Sequence, residues 1–224
     1  MIKGGGWILS SVDFLARLGI LVRHGFLSAD ICERIVAGIR SGETVQAGVG
    51  GPHGDYVVDE SVRRASAAEV GEETLSLVEA PLGTLKPSLE EHFQVALSGY
   101  ESPSFLYYKI GDHYRPHRDS RPGIGGDSKT RIREVSVVVF LNDASEGKAD
   151  SCYGGGELTF FGLMKAPGME ARGLPLAAEK GLLVAFRSDL MHQVAPVTHG
   201  ERFTMVTWYA SGGNQATHSF AASK

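Results

Sequence analysis

The stretch Tyr114-Arg-Pro-His-Arg-Asp119 is the most informative part of this sequence. His117 and Asp119 are two positions apart, and side chains two apart on a β-strand point to the same face, so both can reach one metal ion. A third ligand must then come from a distant strand. His192 suits that place, because it lies just after the apolar run 181–186, where a turn between two strands is expected.

Two imidazoles and one carboxylate on one face of a metal form the facial triad typical of non-haem Fe(II). The opposite face stays open for oxygen and an organic chelator. Zinc also accepts two imidazoles and a carboxylate, and buried polar residues can simply hydrogen-bond to one another. The three residues alone leave these alternatives open.

Arg202 follows His192 by ten positions. A dicarboxylic cosubstrate that chelates iron through a 2-oxo acid end leaves its far carboxylate in a partly dry pocket, where a guanidinium offers a bidentate, permanently charged partner. Strand alternation from Arg202 places Thr204, Val206 and Trp208 on the same face. Thr204 can therefore add a hydroxyl beside the guanidinium.

Several further motifs occur in a characteristic order, and at them the chain resembles the 2-oxoglutarate and Fe(II) dependent dioxygenase superfamily, most closely its prolyl 4-hydroxylase-like branch. The resemblance covers roughly residues 20 to 210. The motifs that carry it are Gly25-Phe-Leu-Ser-Ala-Asp-Ile-Cys32, Asp59 with Arg63, the spaced set Tyr108, Gly111, Tyr114, His117 and Asp119, then Gly155-Gly-Glu-Leu-Thr-Phe160, His192-Gln-Val-Ala-Pro-Val197 and Gly200-Glu-Arg-Phe203.

The resemblance implies an α+β, mainly β fold with a double-stranded β-helix core (jelly roll, cupin-like) flanked by N-terminal helices. It implies that His117, Asp119 and His192 are the catalytic metal ligands, and that Fe(II), 2-oxoglutarate and O2 are the cofactors, with ascorbate as a reductant. Arg202 and Thr204 would bind the far carboxylate of 2-oxoglutarate. Some relatives use a strand tyrosine there as well, but the run 137–141 has no hydroxyl. Tyr108 is a candidate for that part, or else a core aromatic.

The implied reaction is hydroxylation of an unactivated C–H bond, with release of succinate and CO2. The substrate would be a prolyl residue, an amino acid or a related small metabolite. Relatives that halogenate carry a small residue where Asp119 stands, so the carboxylate argues against halogenation. A non-catalytic jelly-roll sensor that binds metal and 2-oxoglutarate, and a zinc-dependent hydrolase, are the alternatives.

Composition is compatible with one dioxygenase domain over residues 1–224, in which 1–100 form a helical N-terminal support region and 101–212 the jelly-roll catalytic core. The chain is 42% hydrophobic and carries a formal charge of −4, without the basic run that a nucleic-acid interface requires. Cys32 and Cys152 do not make a disulfide framework. No signal peptide is apparent, and Asp13 and Arg17 interrupt the first apolar stretch, so a cytoplasmic protein without a membrane segment is expected. The sequence does not indicate an oligomeric state.

The hydrophobic pattern predicts helices in the first half and strands in the second. One helix runs from the N-cap Ser28 to about residue 40, with Gly42 as its stop signal, and a second region spans about 69–97, punctuated at Pro81 and Pro87. Strands are predicted at 105–110, 135–141, 158–161, 182–186 and 203–209. The Gly-rich segments 42–54, 121–130 and 162–180 are substrate-binding loops or plain surface excursions. His113 is too far from His117 along a strand to share its ion.

Overall fold

Two antiparallel sheets packed face to face form the centre of the molecule in a computed structural model, which describes residues 11–50, 56–120, 132–145, 152–163, 168 and 171–211. The helices are α1 (Ser11–Arg17), α2 (Ala29–Ser41) and α3 (Glu72–Phe93). The strands are β1 (Ile20–Arg23), β2 (Thr44–Gln46), β3 (Val49–Gly50), β4 (Tyr56–Val57), β5 (Arg63–Arg64), β6 (Ser66–Ala68), β7 (Gly99–Tyr100), β8 (Ser104–Tyr108), β9 (His113–His117), β10 (Ile132–Phe140), β11 (Gly154–Gly155), β12 (Leu158–Phe160), β13 (Leu174–Leu176), β14 (Leu183–Arg187), β15 (His192–Val194), β16 (Val197–His199) and β17 (Arg202–Ser211).

The larger sheet has the order β1-β14-β10-β17-β8-β6-β2, with β7 paired to β17. The facing sheet has the order β13-β12-β15-β9-β5, and the short pairs β11-β16 and β3-β4 lie beside them. This arrangement confirms the expected mainly-β jelly-roll architecture. All five strands predicted in the second half are present, and the strand that carries His117 is β9.

Side chains on the two central strands alternate between two different cores, as period-two packing requires. Val135, Val137 and Val139 on β10 join Met205 and Tyr209 on β17 in packing beneath the helices. The opposite face of β10 carries Ser136, Val138 and Phe140, of which Val138 and Phe140 pack against the facing sheet. The candidate site residues of β17 lie on this second face.

The two long helices cover the outer face of the large sheet. In α2, the Ser28 hydroxyl accepts a hydrogen bond from the backbone of Ile31, and Gly42 closes the helix, so both predicted ends are confirmed. The second predicted helical region is present as α3, but the interruptions predicted at Pro81 and Pro87 are absent, because the helix continues through both prolines. Each proline removes the N–H donor for the carbonyl four residues back, and neither of the residues concerned, Leu77 and Gly83, is fully buried. The buried side chains of α3 are Thr74, Val78, Leu82, Leu85, Leu89 and Phe93.

The first hundred residues contribute strands as well as helices, so the prediction of a mainly helical region was incomplete. Strands β1, β2 and β6 extend the large sheet and β5 extends the facing one. Segment 42–54 contains β2 and β3, and segment 162–180 contains β13, which pairs with β12. Segment 121–130 lies outside the described residues. Among those that are described, no helix combines the length and apolar character needed to cross a bilayer.

Candidate metal and cosubstrate site

Three side chains converge where β9 ends and β15 begins. His117 is the last residue of β9 and pairs across the sheet with His192, the first residue of β15. Asp119 was expected on the same strand as His117, but it lies two residues past the strand end, and its backbone N–H donates to the carbonyl of Ser188 at 2.9 Å. The candidate ligand atoms of His117, Asp119 and His192 all lie within 4.8 Å of one another.

Both imidazoles are oriented by backbone carbonyls. Nδ1 of His117 is 2.8 Å from the carbonyl oxygen of Arg115, and Nδ1 of His192 is 2.9 Å from that of Leu190. Because a carbonyl only accepts, each Nδ1 carries a proton, which leaves the lone pair of a neutral ring on Nε2. This orientation by a partner on the second nitrogen is common among metal-binding histidines.

The two Nε2 atoms face the carboxylate of Asp119. They lie 3.5 Å (His117) and 3.7 Å (His192) from its oxygens. Neutral rings would thus direct lone pairs toward a carboxylate, an arrangement that a cation between them stabilises. The donor set, two imidazoles and one carboxylate, fits the facial triad of a non-haem ferrous site.

Burial and neighbouring side chains set the charge states of His192 and Asp119. It lowers the pKa of His192 to about 4, although the carboxylate of Asp119 opposes the shift. Burial alone would raise the pKa of Asp119, but His192, His117 and the hydroxyl of Ser136 together hold it well below its usual range. At neutral pH His192 is therefore neutral and Asp119 is ionised, which are the forms that bind a metal.

Residues around the cluster hold it in place. The hydroxyl of Ser136 donates to Oδ2 of Asp119 at 2.6 Å. The ring of Tyr114 stacks on that of His117 with centroids 3.4 Å apart, and the guanidinium of Arg63 lies 4.7 Å above the Tyr114 ring. Sequence reasoning did not single out Ser136. Its signal was a lone hydroxyl in the apolar run 135–141.

The predicted cosubstrate residues also come together. Arg202, the first residue of β17, pairs with Tyr108 of β8, and its guanidinium carbon is 5.1 Å from the Tyr108 ring centre and 5.2 Å from that of Phe140. Its Nη1 donates to the hydroxyl of Thr204 at 3.3 Å. Arg202 is only 2% exposed, and within the described ranges no carboxylate forms an ion pair with it.

One strand face connects the two groups. On β10, Ser136 contacts Asp119, and Phe140 contacts Arg202. Four strand residues separate these positions, a span of roughly 13 Å.

His113 is not part of the metal cluster, and its Nδ1 is 3.3 Å from the carbonyl oxygen of Gly111.

Comparison with known proteins agrees with this geometry. Residues 103–210 match the family model described as the 2OG-Fe(II) oxygenase superfamily. A PKHD-type hydroxylase of Psychrobacter sp. (strain PRwf-1) is 33% identical over 110 residues, which are 49% of this chain and 38% of that protein. One of Maricaulis maris is 38% identical over 104 residues, 46% of this chain and 39% of the relative. The chain thus spans about two fifths of the length of these curated relatives.

Solved structures with a similar fold include a prolyl-4-hydroxylase of Pseudomonas putida, with a TM-score of 0.66 and 24% identity over 90% of this chain and 97% of the other. A prolyl hydroxylase of Trichoplax adhaerens, solved with a peptide fragment of the hypoxia inducible factor oxygen degradation domain, gives a TM-score of 0.63 and 18% identity over 89% and 86% of the two chains. Residues 103–210, about half of the chain, are thus similar to the 2OG-Fe(II) oxygenase superfamily, and the fold is similar to that of these prolyl hydroxylases.

Proposed function

We propose that this protein is a non-haem Fe(II)- and 2-oxoglutarate-dependent dioxygenase that hydroxylates an unactivated C–H bond. One observation carries the proposal. A cluster of two imidazoles and one carboxylate and a buried guanidinium both contact the face of β10 that packs against the facing sheet. The guanidinium has no carboxylate partner among the described residues. A zinc hydrolase needs the first feature but not the second. The named relatives, which are hydroxylases, support the same reaction class.

Each residue has a distinct part in this proposal. His117, Asp119 and His192 would hold the ferrous ion, and Arg202 with Thr204 would bind the far carboxylate of 2-oxoglutarate. Tyr108 contributes its ring as a wall beside the guanidinium. When bound, iron and 2-oxoglutarate supply the oxidising chemistry, in which O2 and the cosubstrate yield succinate, CO2 and a hydroxylated product.

The apolar lining excludes water from the reacting groups. Phe186 places its ring edge against His192, with centroids 4.7 Å apart, and Phe160 and Val138 lie in the same core. A dry site strengthens the attraction between Arg202 and a bound carboxylate. The protein's own contribution is thus to position the cosubstrate and the substrate.

The substrate class proposed is a prolyl residue in a peptide, a free amino acid or a related small metabolite. The Trichoplax adhaerens structure holds a peptide, and the solved structures with a similar fold include prolyl hydroxylases. Both observations support a prolyl residue in a peptide as the substrate. We further propose that residues 1–224 act as one dioxygenase domain, with 1–100 as support and 101–212 as the catalytic core. A cytoplasmic location and ascorbate as a reductant complete the proposal.

Anaerobic addition of Fe(II) and 2-oxoglutarate tests the reaction class. We expect a weak visible charge-transfer band, followed by succinate when air is admitted. Asp119→Ala should abolish both signals, whereas Asp189→Ala, which removes an exposed carboxylate close in sequence to His192, should retain them. A band without succinate under any substrate would indicate the sensor alternative, and zinc-dependent hydrolysis without a band would indicate the hydrolase.

Substrate-stimulated succinate release tests the substrate class. The wild-type protein would be incubated with single amino acids and with proline-containing peptides, and succinate would be measured with and without each compound. Stimulation by proline-containing peptides alone would establish the peptidyl substrate. Stimulation by free amino acids alone would replace it with the small-molecule one.

A further inference from the structure

Tyr153 has a buried hydroxyl whose proton has no acceptor among the described residues. The residue immediately precedes β11 and is 1% exposed. Its hydroxyl oxygen is fully enclosed and forms no hydrogen bond of ordinary geometry with the described residues. Because a buried hydroxyl without a partner costs stability, a native structure that keeps one calls for an explanation.

The side chains of Tyr153 and Arg202 both lie close to Gly156. A Cβ atom placed on Gly156 would lie 2.9 Å from Cδ of Arg202 and 3.3 Å from Cε2 of Tyr153. Gly156 also has a φ of +64°, a conformation that residues with a side chain rarely adopt. Glycine at this position therefore leaves room for both side chains to lie close together beside it.

The electrostatic surroundings keep the phenol protonated. Burial raises the pKa of Tyr153, and the positive charge of Arg202 lowers it by less, while Glu157 and Asp143 raise it further. At neutral pH the side chain thus presents an O–H donor. Its neighbour Arg202 likewise has a buried Nε without a hydrogen-bond partner among the described residues.

Among the described residues, Nε of Arg202 and the hydroxyl of Tyr153 have no acceptor. Arg202 supplies N–H groups, Thr204 supplies a hydroxyl that already accepts from Arg202, and Tyr153 supplies a phenol. The Phe140 ring, 5.2 Å from the guanidinium carbon, offers no donor. A group of donors around an unpaired cation is suited to an anion with several acceptor oxygens, which is the chemistry of a carboxylate.

We propose that Tyr153 is a cosubstrate-positioning residue, whose phenol donates a hydrogen bond to the far carboxylate that Arg202 and Thr204 bind. This inference rests on the proposed function, because it takes 2-oxoglutarate as the anion. The hydroxyl that donates to the far carboxylate then comes from the segment just before β11. No strand residue on the 137–141 run can provide it.

Anaerobic calorimetry with the Mn(II)-loaded protein tests the assignment, using two probes. 2-Oxoglutarate has the far carboxylate, and 2-oxopentanoate has the same chain length with a methyl group in its place. Tyr153→Phe should weaken 2-oxoglutarate binding about 10-fold or more, the usual effect of a hydrogen bond to a charged group. Its affinity for 2-oxopentanoate should equal that of the wild type.

Tyr100→Phe is the matched control, since it removes a hydroxyl from β7, outside this pocket, and should leave both affinities unchanged. The melting temperature without ligand is a second measurement. It should stay the same or rise in Tyr153→Phe, because the O–H that is lost has no acceptor among the described residues. A clear fall would show that the protein itself uses the hydroxyl, and it would overturn the inference.

The two proposals fail in different ways. If the wild-type protein binds 2-oxoglutarate no better than 2-oxopentanoate, the proposed function is refuted, and this inference with it. If the wild type prefers 2-oxoglutarate strongly and Tyr153→Phe keeps the full preference, only the assignment of Tyr153 is refuted.

Discussion

Ser136 donates a hydrogen bond from its hydroxyl to Oδ2 of Asp119 at 2.6 Å and thereby joins the central strand of the large sheet to the candidate metal carboxylate. The hydroxyl of Ser188 lies 2.9 Å from that of Ser136, and the Ser188 carbonyl accepts from the backbone of Asp119. Asp119 lies past the end of β9 and is not held by a strand ladder. Ser136 and Ser188 hold its carboxylate and its backbone in place instead.

Ser136→Ala should therefore lower metal affinity without destroying the site. Loss of such an outer partner typically weakens metal binding about 10- to 100-fold. Anaerobic calorimetry with Fe(II) or Mn(II) would measure the change. Ser188→Ala should have a smaller effect, because its hydroxyl reaches Asp119 only through Ser136. Wild-type affinity in Ser136→Ala would show that the carboxylate needs no such support.

Arg202→Met should separate stability from cosubstrate binding. Methionine removes a buried charge that has no carboxylate partner in the described structure, so the free energy of unfolding should stay the same or rise. Affinity for 2-oxoglutarate should fall at least about 30-fold, since a buried charge pair loses one member. Urea unfolding and calorimetry would measure the two quantities. Metal affinity serves as the control, because Arg202 is not among the candidate ligands.

A fall in unfolding free energy together with unchanged 2-oxoglutarate affinity would contradict this assignment. Arg202 would then be a structural residue, held by its contacts with Tyr108, Phe140 and Thr204.

Strand parity explains how much of the site could be predicted from the sequence. The spacing of Arg202 and Thr204 fixed their common face, and the turn before His192 brought that residue across from His117. These relations depend only on period two and on a strand boundary. The helix limits at Ser28 and Gly42 depended on local capping chemistry.

Tertiary contacts determine what could not be predicted. Strands β2 and β6 have three residues each and no clear hydrophobic alternation, so only pairing with β8 and with each other defines them. The continuity of α3 across Pro81 depends on the core that its other face buries. The hydroxyls of Ser136 and Tyr153 gain their positions from residues far away in the chain.

Tyr209 connects the long helix to the central strand. Its buried hydroxyl donates to the backbone carbonyl of Leu82 at 2.6 Å, one residue after Pro81. Tyr209→Phe should reduce the free energy of unfolding by about 1–2 kcal/mol, since a buried hydrogen bond is lost. Urea unfolding followed by circular dichroism would measure it. Tyr100, which contacts the Tyr209 ring with centroids 5.4 Å apart, offers Tyr100→Phe as a milder comparison. Equal stability of Tyr209→Phe and wild type would mean that the bond contributes nothing.

Cys32 should be unreactive in the folded protein. Its thiol is fully buried, and burial raises its pKa to about 11. The thiolate is the reactive form, and at pH 8 only about one Cys32 in a thousand carries it. Iodoacetamide followed by peptide mass spectrometry should modify Cys152 first and Cys32 only in urea. Because the unfolded thiol ionises near pH 9 and the folded one near 11, the unfolding free energy should also fall as pH rises through this range, and less so in Cys32→Ala. Rapid alkylation of Cys32 in the native protein at pH 8 would show that α2 opens far more often than its packing implies.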